Sequence, residues 1–191
     1  MKKLLTAWGS LNLPNQLTLL RIALVPVYLL LLAMFGDDRS LCILPLLVFV
    51  LASLTDLLDG RIARKYHLVT NFGKFMDPIA DKLLTHTAFI MLTAMGRLHV
   101  VACIIFVARE FVVSGLRLVA VEQGRVIAAG MSGKVKTVLQ MLLIMLLTVP
   151  SGGLLPTLLT FAAAFMTLYS MVEYVWENRA VLGGAKYGIE A

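Results

Sequence analysis

Hydrophobic and polar residues alternate along this chain in long blocks. Six stretches of mostly apolar residues are separated by short polar breaks. A helix rises 1.5 Å per residue, so about 20 apolar residues are enough to cross the hydrocarbon core of a bilayer. The pattern therefore predicts six transmembrane helices, at about 16–35, 41–63, 74–95, 99–121, 133–150 and 154–176.

The breaks between the stretches contain residues typical of turns. Gly36 and Asp37 follow the first stretch, Gly96 the third, and Pro150 the fifth. Glycine, proline and aspartate favour turns because each accepts or fixes a backbone conformation that a helix cannot use. Such short connections leave no room for a separate soluble domain. We therefore expect one membrane domain over residues 1–191, with a short juxtamembrane segment at residues 1–14.

Composition agrees with a membrane protein. The 191 residues are 60% hydrophobic, against about 45–50% in soluble domains. This composition excludes an ordinary water-soluble fold and favours an all-α, polytopic membrane protein.

The basic residues predict the orientation of the helices. The chain has a net charge of +6, but its cations fall between the apolar stretches, which indicates membrane topology rather than nucleic-acid binding. With the N-terminus inside, the outer loops contain only Arg39 and Arg97, and almost all other basic residues lie on the inner side. Because positive charge marks the cytoplasmic side of a membrane protein, we expect both termini to be cytoplasmic.

Four aspartates stand at the ends of apolar stretches. Asp56 and Asp59 end the second stretch and are three residues apart, whereas Asp77 and Asp81 begin the third and are four apart. Either spacing places two side chains on one face of a helix. Carboxylates within or beside a membrane span are costly and need a partner or an aqueous cavity. We expect the two pairs to converge at one cytoplasmic level.

A divalent metal would relieve the repulsion among four neighbouring carboxylates. Ligands that are all oxygen select Mg²⁺, Mn²⁺ or Ca²⁺ over zinc. Two other interpretations stay open on these residues alone. The aspartates could form salt bridges with nearby basic residues, or they could bind an ion in a small metal-ion transporter.

The spacing around the aspartates carries a family resemblance. The run Asp56-x2-Asp59-Gly60-x2-Ala63-Arg64-x8-Gly73-x3-Asp77-x3-Asp81 resembles the signature of the CDP-alcohol phosphotransferases. The resemblance implies an integral membrane enzyme that holds two Mg²⁺ or Mn²⁺ ions on the four aspartates, with Asp81 also the catalytic base. It further implies that the CDP-linked donor lipid binds to a set of residues comprising Asn15, Thr18, Asp56, Gly60, Arg64 and Gly73.

Arginines and a lysine in the fourth and fifth stretches bear on the acceptor. Arg109 and Arg117 are eight residues apart, close to two helical turns. With Lys134 they can form a cationic pocket for a phosphate monoester. The alternative is that Arg109 pairs with Glu110 and the others extend to the interface. Neighbours in a helix point in different directions, so we expect this pairing to be a poor explanation of Arg109.

The start of the first stretch also has a choice of interpretations. The predicted first helix is preceded by Pro14 and Asn15, and Asn15 is a candidate N-cap. Its first turns contain Thr18 and Arg21. The alternative to substrate binding is a cap followed by an arginine that extends to the membrane interface.

The resemblance is strongest to bacterial members of the family, through Pro-Asn-x-Leu-Thr-x-x-Arg, Ala-Arg-Glu and Gly-Lys-x-Lys-Thr segments. It implies transfer of a phosphatidyl group from CDP-diacylglycerol to sn-glycerol 3-phosphate in phospholipid biosynthesis, with release of CMP. It also implies a homodimer in the bacterial cytoplasmic membrane, with its active site facing the cytoplasm. Family members that make phosphatidylserine, phosphatidylinositol phosphate or cardiolipin remain alternatives.

Overall fold

A computed structural model describes residues 12–65, 71–128, 130–150 and 152–182. Within these ranges, side chains are described except those of Pro14, Asp77, Pro78 and Asp81 and of residues 56–65 and 71–75. The described residues form α-helices and turns, with no strand among them. Seven helices follow in order: α1 Leu13–Phe35, α2 Ile43–Lys65, α3 Asn71–Ala94, α4 Val100–Glu122, α5 Met131–Thr148, α6 Leu154–Glu177 and the short α7 Arg179–Leu182.

The six long helices match the six apolar stretches of the sequence. Their ends differ from the predicted ones by a few residues, most clearly around the aspartates. Helix α2 continues to Lys65 and α3 begins at Asn71. Arg64 and Gly73, which lie outside the predicted stretches, are therefore part of the helical backbone, as is Gly60.

Turn and cap residues lie at the helix ends, at the breaks between the apolar stretches. Asp38 Oδ1 accepts hydrogen bonds from the backbone N–H groups of Ser40 at 2.8 Å and Leu41 at 3.1 Å, which closes the turn between α1 and α2. Gly153 precedes α6 with φ of 106°, a left-handed conformation that disfavours other residues. His99 caps α4, its Nδ1 accepting from the N–H of Val101 at 3.3 Å.

Three helices are apolar and long enough to cross a membrane, judged over the described residues. They lie at Asn15–Phe35, Met131–Thr148 and Leu154–Glu177. Large apolar side chains also face outward, such as Phe111 at 71% exposure and Phe165 at 71%. Because soluble monomers rarely expose contiguous apolar surface, these side chains indicate a protein whose outer surface faces lipid.

The chain divides into two compact units. The first comprises Met1–Met95 with Ile144–Ser151, and the second Gly96–Leu143 with Gly152–Ala191. In the first unit α1 packs on α2 and α3, and α2 also packs on α3. In the second unit α4 packs on α6, and α7 packs on both. Asp56, Asp59, Asp77 and Asp81 belong to the first unit, and Arg109, Arg117 and Lys134 belong to the second.

The first unit is held by an apolar core along one side of α1. Val25, Tyr28 and Leu32 are buried there. The rings of Tyr28 and Phe49 lie with centroids 5.6 Å apart, which joins α1 to α2. The hydroxyl of Tyr28 shares a 3.3 Å hydrogen bond with that of Thr148. Burying a polar hydroxyl costs little when it is paired in this way.

Candidate active site

Helices α2 and α3 carry the four aspartates. Asp56 and Asp59 lie in the second half of α2, and Asp77 and Asp81 in the first half of α3. Their side chains lie outside the described residues, so the structure places them by backbone alone. The helical register then decides which face of its helix each aspartate occupies.

The buried face of α2 runs through the positions of its aspartates. Phe49 and Ala52 are fully buried. Residues three, four and seven apart share one side of an α-helix. Positions 56 and 59 therefore continue the line that Phe49 and Ala52 begin, on the side of α2 that packs against its neighbours.

Helix α3 repeats this arrangement. Ala80 and Ala88 are fully buried and Leu84 is 2% exposed. Positions 77 and 81 lie on the same side of the helix, seven and three residues before Leu84. By helical register, the backbone positions of both aspartate pairs thus continue the buried sides of two helices that pack together.

Two contacts set the level of the aspartates along α1. The Tyr28–Phe49 ring contact joins helices that run in opposite directions across a short turn. Position 21 on α1 lies seven residues before Tyr28, and Asp56 on α2 lies seven residues after Phe49. At the far end, the Met95 side chain lies 2.8 Å from where a Cβ on Gly36 would stand. Position 21 lies fifteen residues before Gly36, and Ala80, the neighbour of Asp81, lies fifteen residues before Met95. Equal rise per residue brings Asp56 and Asp81 to about one level.

Two polar side chains in the opening turns of α1 are buried. Asn15 is 5% exposed and Thr18 is 0% exposed. The N-cap prediction for Asn15 is wrong: α1 begins at Leu13 after Asn12, and Asn15 lies inside the helix. Pro14 in the first turn moves the start upstream, because a proline there needs no helical hydrogen bond. Arg21 is fully buried rather than extended to an interface.

The second unit contains a buried cluster of charges on α4 and α5. Glu110 Oε1 accepts a hydrogen bond from Arg109 Nη1 at 2.9 Å and another from Lys136 Nζ. All three side chains are buried, at 7%, 5% and 3% exposure for Arg109, Glu110 and Lys136. The adjacent pair does meet, contrary to the expectation from helix geometry, and the same Glu110 oxygen also binds Lys136 of α5.

Lys136 was missed by the sequence interpretation, which chose Lys134. Lys134 is exposed, whereas Lys136 lies on the line of α5 that continues through the buried residues Gln140 and Leu143. Helical spacing from those apolar and amide positions was the available signal. The Gly-Lys-x-Lys-Thr segment alone does not distinguish the two lysines.

Arg109 retains unused hydrogen-bonding capacity within the described residues. Its Nε is buried and has no hydrogen-bond partner there. Its Nη2 lies 3.3 Å from where a Cβ on Gly133 would stand, so the glycine leaves room for the guanidinium. Arg109 and Lys136 both bind the Glu110 carboxylate, and the buried Arg109 Nε suits an anionic acceptor.

Arg117 is held differently. It is exposed, its Nε donates to the hydroxyl of Tyr174 at 3.0 Å, and its guanidinium lies 5.4 Å from the centre of that ring. Tyr174 belongs to a buried cluster with Val113 and Leu116. The ring therefore fixes Arg117 on the surface of α4. The structure does not bring Arg117 and Lys134 into the buried Arg109 cluster.

A family model described as CDP-alcohol phosphatidyltransferase matches residues 11–179. The match includes both aspartate helices and the charge cluster. The chain belongs to the CDP-alcohol phosphatidyltransferase family. Its members are transferases, and the sequence prediction of an enzyme of this family is confirmed.

Curated relatives of this phosphatidyltransferase cover most of its length. A Bacillus subtilis protein named CDP-diacylglycerol–glycerol-3-phosphate 3-phosphatidyltransferase is 40% identical over 183 residues, covering 87% of this chain and 95% of its own. A Rickettsia bellii protein of the same name is 41% identical over 170 residues, covering 85% and 93%. A Mycobacterium tuberculosis protein named probable phosphatidylglycerophosphate synthase is 38% identical over 179 residues, covering 92% and 85%.

Proposed function

We propose that this phosphatidyltransferase moves the phosphatidyl group of CDP-diacylglycerol to sn-glycerol 3-phosphate and releases CMP. The names of its relatives supply the two substrates. The support in the structure is the helical register of α2 and α3, in which positions 56, 59, 77 and 81 continue the lines of buried residues Phe49, Ala52, Ala80 and Leu84. Such a placement suits a site for a diphosphate rather than a surface ion pair.

The donor set of this site fits divalent metal ions. Four carboxylates supply only oxygen ligands, which suit Mg²⁺ or Mn²⁺. We assign Asp56, Asp59, Asp77 and Asp81 as the residues that hold two such ions. When bound, the ions would neutralise the diphosphate and stabilise charge on the attacking and leaving oxygens.

Asp81 also serves as the general base in this proposal. Its carboxylate accepts the proton of the acceptor's primary hydroxyl as that oxygen bonds to the phosphorus of the phosphatidyl group. The bond between that phosphorus and the CMP oxygen breaks, and CMP carries away the electron pair. Positioning of the two substrates supplies much of the acceleration, so no covalent enzyme intermediate is required.

The CDP-linked donor is assigned to the helix ends around the aspartates. Asn15 and Thr18 are buried polar residues of α1 at this end of the first unit. Gly60 and Gly73 lie in α2 and α3, and a residue without Cβ lets a ligand approach the backbone closely. Arg64 supplies a cation for the diphosphate.

The acceptor's phosphate is assigned to cations of the second unit. Arg109 offers an unused Nε in a buried setting, and Arg117 is fixed on the ring of Tyr174. Lys134 is exposed and adds a third charge. Guanidinium groups suit a phosphate monoester because they can donate two parallel hydrogen bonds. Serine and inositol bring no phosphate, so this set favours glycerol 3-phosphate over them.

In the proposed topology all six long helices span the bacterial cytoplasmic membrane, with both termini and the active site on the cytoplasmic side. The support is the scarcity of basic residues on the other side, where Arg39 and Arg97 follow α1 and α3. A homodimer remains a proposal from family resemblance.

An acceptor screen tests the proposed reaction. Membranes that contain the protein are given CDP-diacylglycerol and either glycerol 3-phosphate, serine, inositol or inositol phosphate. We expect CMP release and a phosphatidylglycerophosphate product with glycerol 3-phosphate, in the presence of Mg²⁺ or Mn²⁺ and not with EDTA. Preferred use of another acceptor would contradict the assignment, and metal uptake by sealed vesicles without lipid turnover would favour a transporter.

Arg117→Ala tests the acceptor pocket separately. This change removes one charge-assisted contact, so the KM for glycerol 3-phosphate should rise about ten-fold, while the KM for CDP-diacylglycerol stays the same. A variant with unchanged acceptor dependence would exclude Arg117 from the pocket.

A further inference from the structure

Arg21 is a buried arginine on the side of α1 that packs in the core of the first unit. Its side chain is 0% exposed, and it lies between the buried residues Thr18 and Val25. A guanidinium stays charged in proteins even where it is buried. A buried charge is retained only when anionic or strongly polar groups compensate it.

The candidates for that compensation are few in the first unit. The sequence of this unit has acidic residues at Asp37 and Asp38 and at the four aspartates of α2 and α3. Asp37 and Asp38 are exposed in the turn after α1. They lie at least sixteen residues from Arg21, or about 24 Å along the helix, which is farther than one arginine side chain extends. The remaining carboxylates of the unit are those of the proposed metal site.

Helix register independently brings Arg21 to those carboxylates. Counting from the Tyr28–Phe49 contact sets Arg21 at the level of Asp56. Counting from Met95 against Gly36 sets it at the level of Ala80, the neighbour of Asp81. Both aspartate positions lie on faces that pack within this unit.

We propose that Arg21 is the counter-ion of the aspartate cluster and positions its carboxylates. Its five N–H donors form a rigid fork that can bind more than one carboxylate oxygen. In the metal-free enzyme the guanidinium offsets part of the repulsion among four neighbouring carboxylates. Arg21 is a positioning residue, and its role in metal loading rests on the proposed function, whereas its pairing with the aspartates does not.

A double-mutant cycle without metal or substrate tests the pairing. Arg21→Gln is combined in turn with Asp56→Asn, Asp59→Asn, Asp77→Asn and Asp81→Asn in the full-length protein, and melting temperatures are measured in detergent with EDTA. We expect Arg21→Gln alone to lower the melting temperature by on the order of 10 °C. At least one second substitution should restore part of that loss, because it removes the carboxylate left unpaired.

Additive losses for all four pairs would overturn the proposal. If Arg21→Gln alone fails to fold, recovery of folded protein in one of the double variants supports the pairing, and failure of all of them contradicts it. Arg39→Gln is the matched control, because Arg39 is an exposed arginine of the same unit; its melting temperature should equal that of the unmodified protein.

Metal addition separates positioning from simple packing. Without Arg21 the metal-free site loses a buried compensating charge, so Mg²⁺ should raise the melting temperature of Arg21→Gln more than that of the unmodified protein, with Arg21→Lys in between. An equal rise in the two proteins would show that Arg21 only fills space. If Mg²⁺ stabilises neither protein, the proposed metal site is wrong, and the cycle in EDTA alone decides the pairing.

Discussion

The buried charged side chains of α4 and α5 are held by specific partners rather than by solvent. Glu110 binds both Arg109 and Lys136, and each of the three is more than nine-tenths buried. Removing one member of such a cluster leaves another charge without its partner, which costs more than the intact cluster contributes. Charges on the surface of the same helices have no such cost.

The two lysines of α5 provide a matched comparison. Lys136→Met should lower the free energy of unfolding by about 3 kcal/mol, because Glu110 loses a buried cation. Lys134→Met removes an exposed cation and should leave stability unchanged while raising the KM for glycerol 3-phosphate. Thermal unfolding in detergent and acceptor titrations check both. Equal melting temperatures for the two variants would contradict the structural role of Lys136.

Asp81→Asn tests the assignment of the base. The amide has nearly the same shape but cannot take the acceptor's proton, and it is a weaker metal ligand, so kcat should fall by at least about 100-fold. Release of CMP from CDP-diacylglycerol measures the loss. Asp37→Asn changes an exposed aspartate of the turn after α1 and should keep full activity. Full activity in Asp81→Asn would exclude the proposed base.

At the scale of elements, apolar periodicity predicted the six long helices because each stretch is long and bounded by turn residues. It was less accurate where polar residues continue a helix. Helix α2 ends at Lys65, after the predicted end, and α3 begins at Asn71, before the predicted start. The same spacing located the aspartate pairs on single faces. It could not predict that Glu110 would bind both Arg109 and Lys136, because that depends on the packing of a side chain from a second helix.

Removal of metal should loosen the α2–α3 pair. If the four aspartates converge as proposed, their carboxylates repel each other when no divalent ion is bound. We expect EDTA to lower the melting temperature and Mg²⁺ or Mn²⁺ to restore it in proportion to metal occupancy. Replacing all four aspartates by asparagine should abolish this dependence. A melting temperature that is independent of metal in the unmodified protein would contradict the four-aspartate site.

At the scale of the whole molecule, the exposed apolar surface and the distribution of basic residues predict how the chain sits in a membrane. Cys42 and Cys103 are the two cysteines, and both are buried and free. Replacing both cysteines by serine gives a cysteine-free protein. A single cysteine introduced into it then shows, by its labelling, on which side of the membrane that position lies. Arg39 and Arg125 are exposed residues suited to this purpose.

Labelling with a membrane-impermeant maleimide tests the topology. In intact cells whose outer barrier admits the reagent, Arg39→Cys should react and Arg125→Cys should not, because the first lies outside and the second inside in the proposed orientation. Opening the cytoplasmic membrane should make both react. Labelling of Arg125→Cys alone before opening would reverse the orientation.

The shared carboxylate of Glu110 also has a consequence for biogenesis. Helix α4 carries Arg109 and Glu110 near its middle, and insertion of such residues singly into lipid is unfavourable by at least about 2.5 kcal/mol each on insertion scales. Lys136 on α5 completes the cluster. We therefore expect α4 to enter the bilayer efficiently only after α5 has been synthesised. Nascent chains that end before residue 131 should integrate α4 poorly, and chains that include α5 should integrate it well, with Lys136→Met weakening the difference.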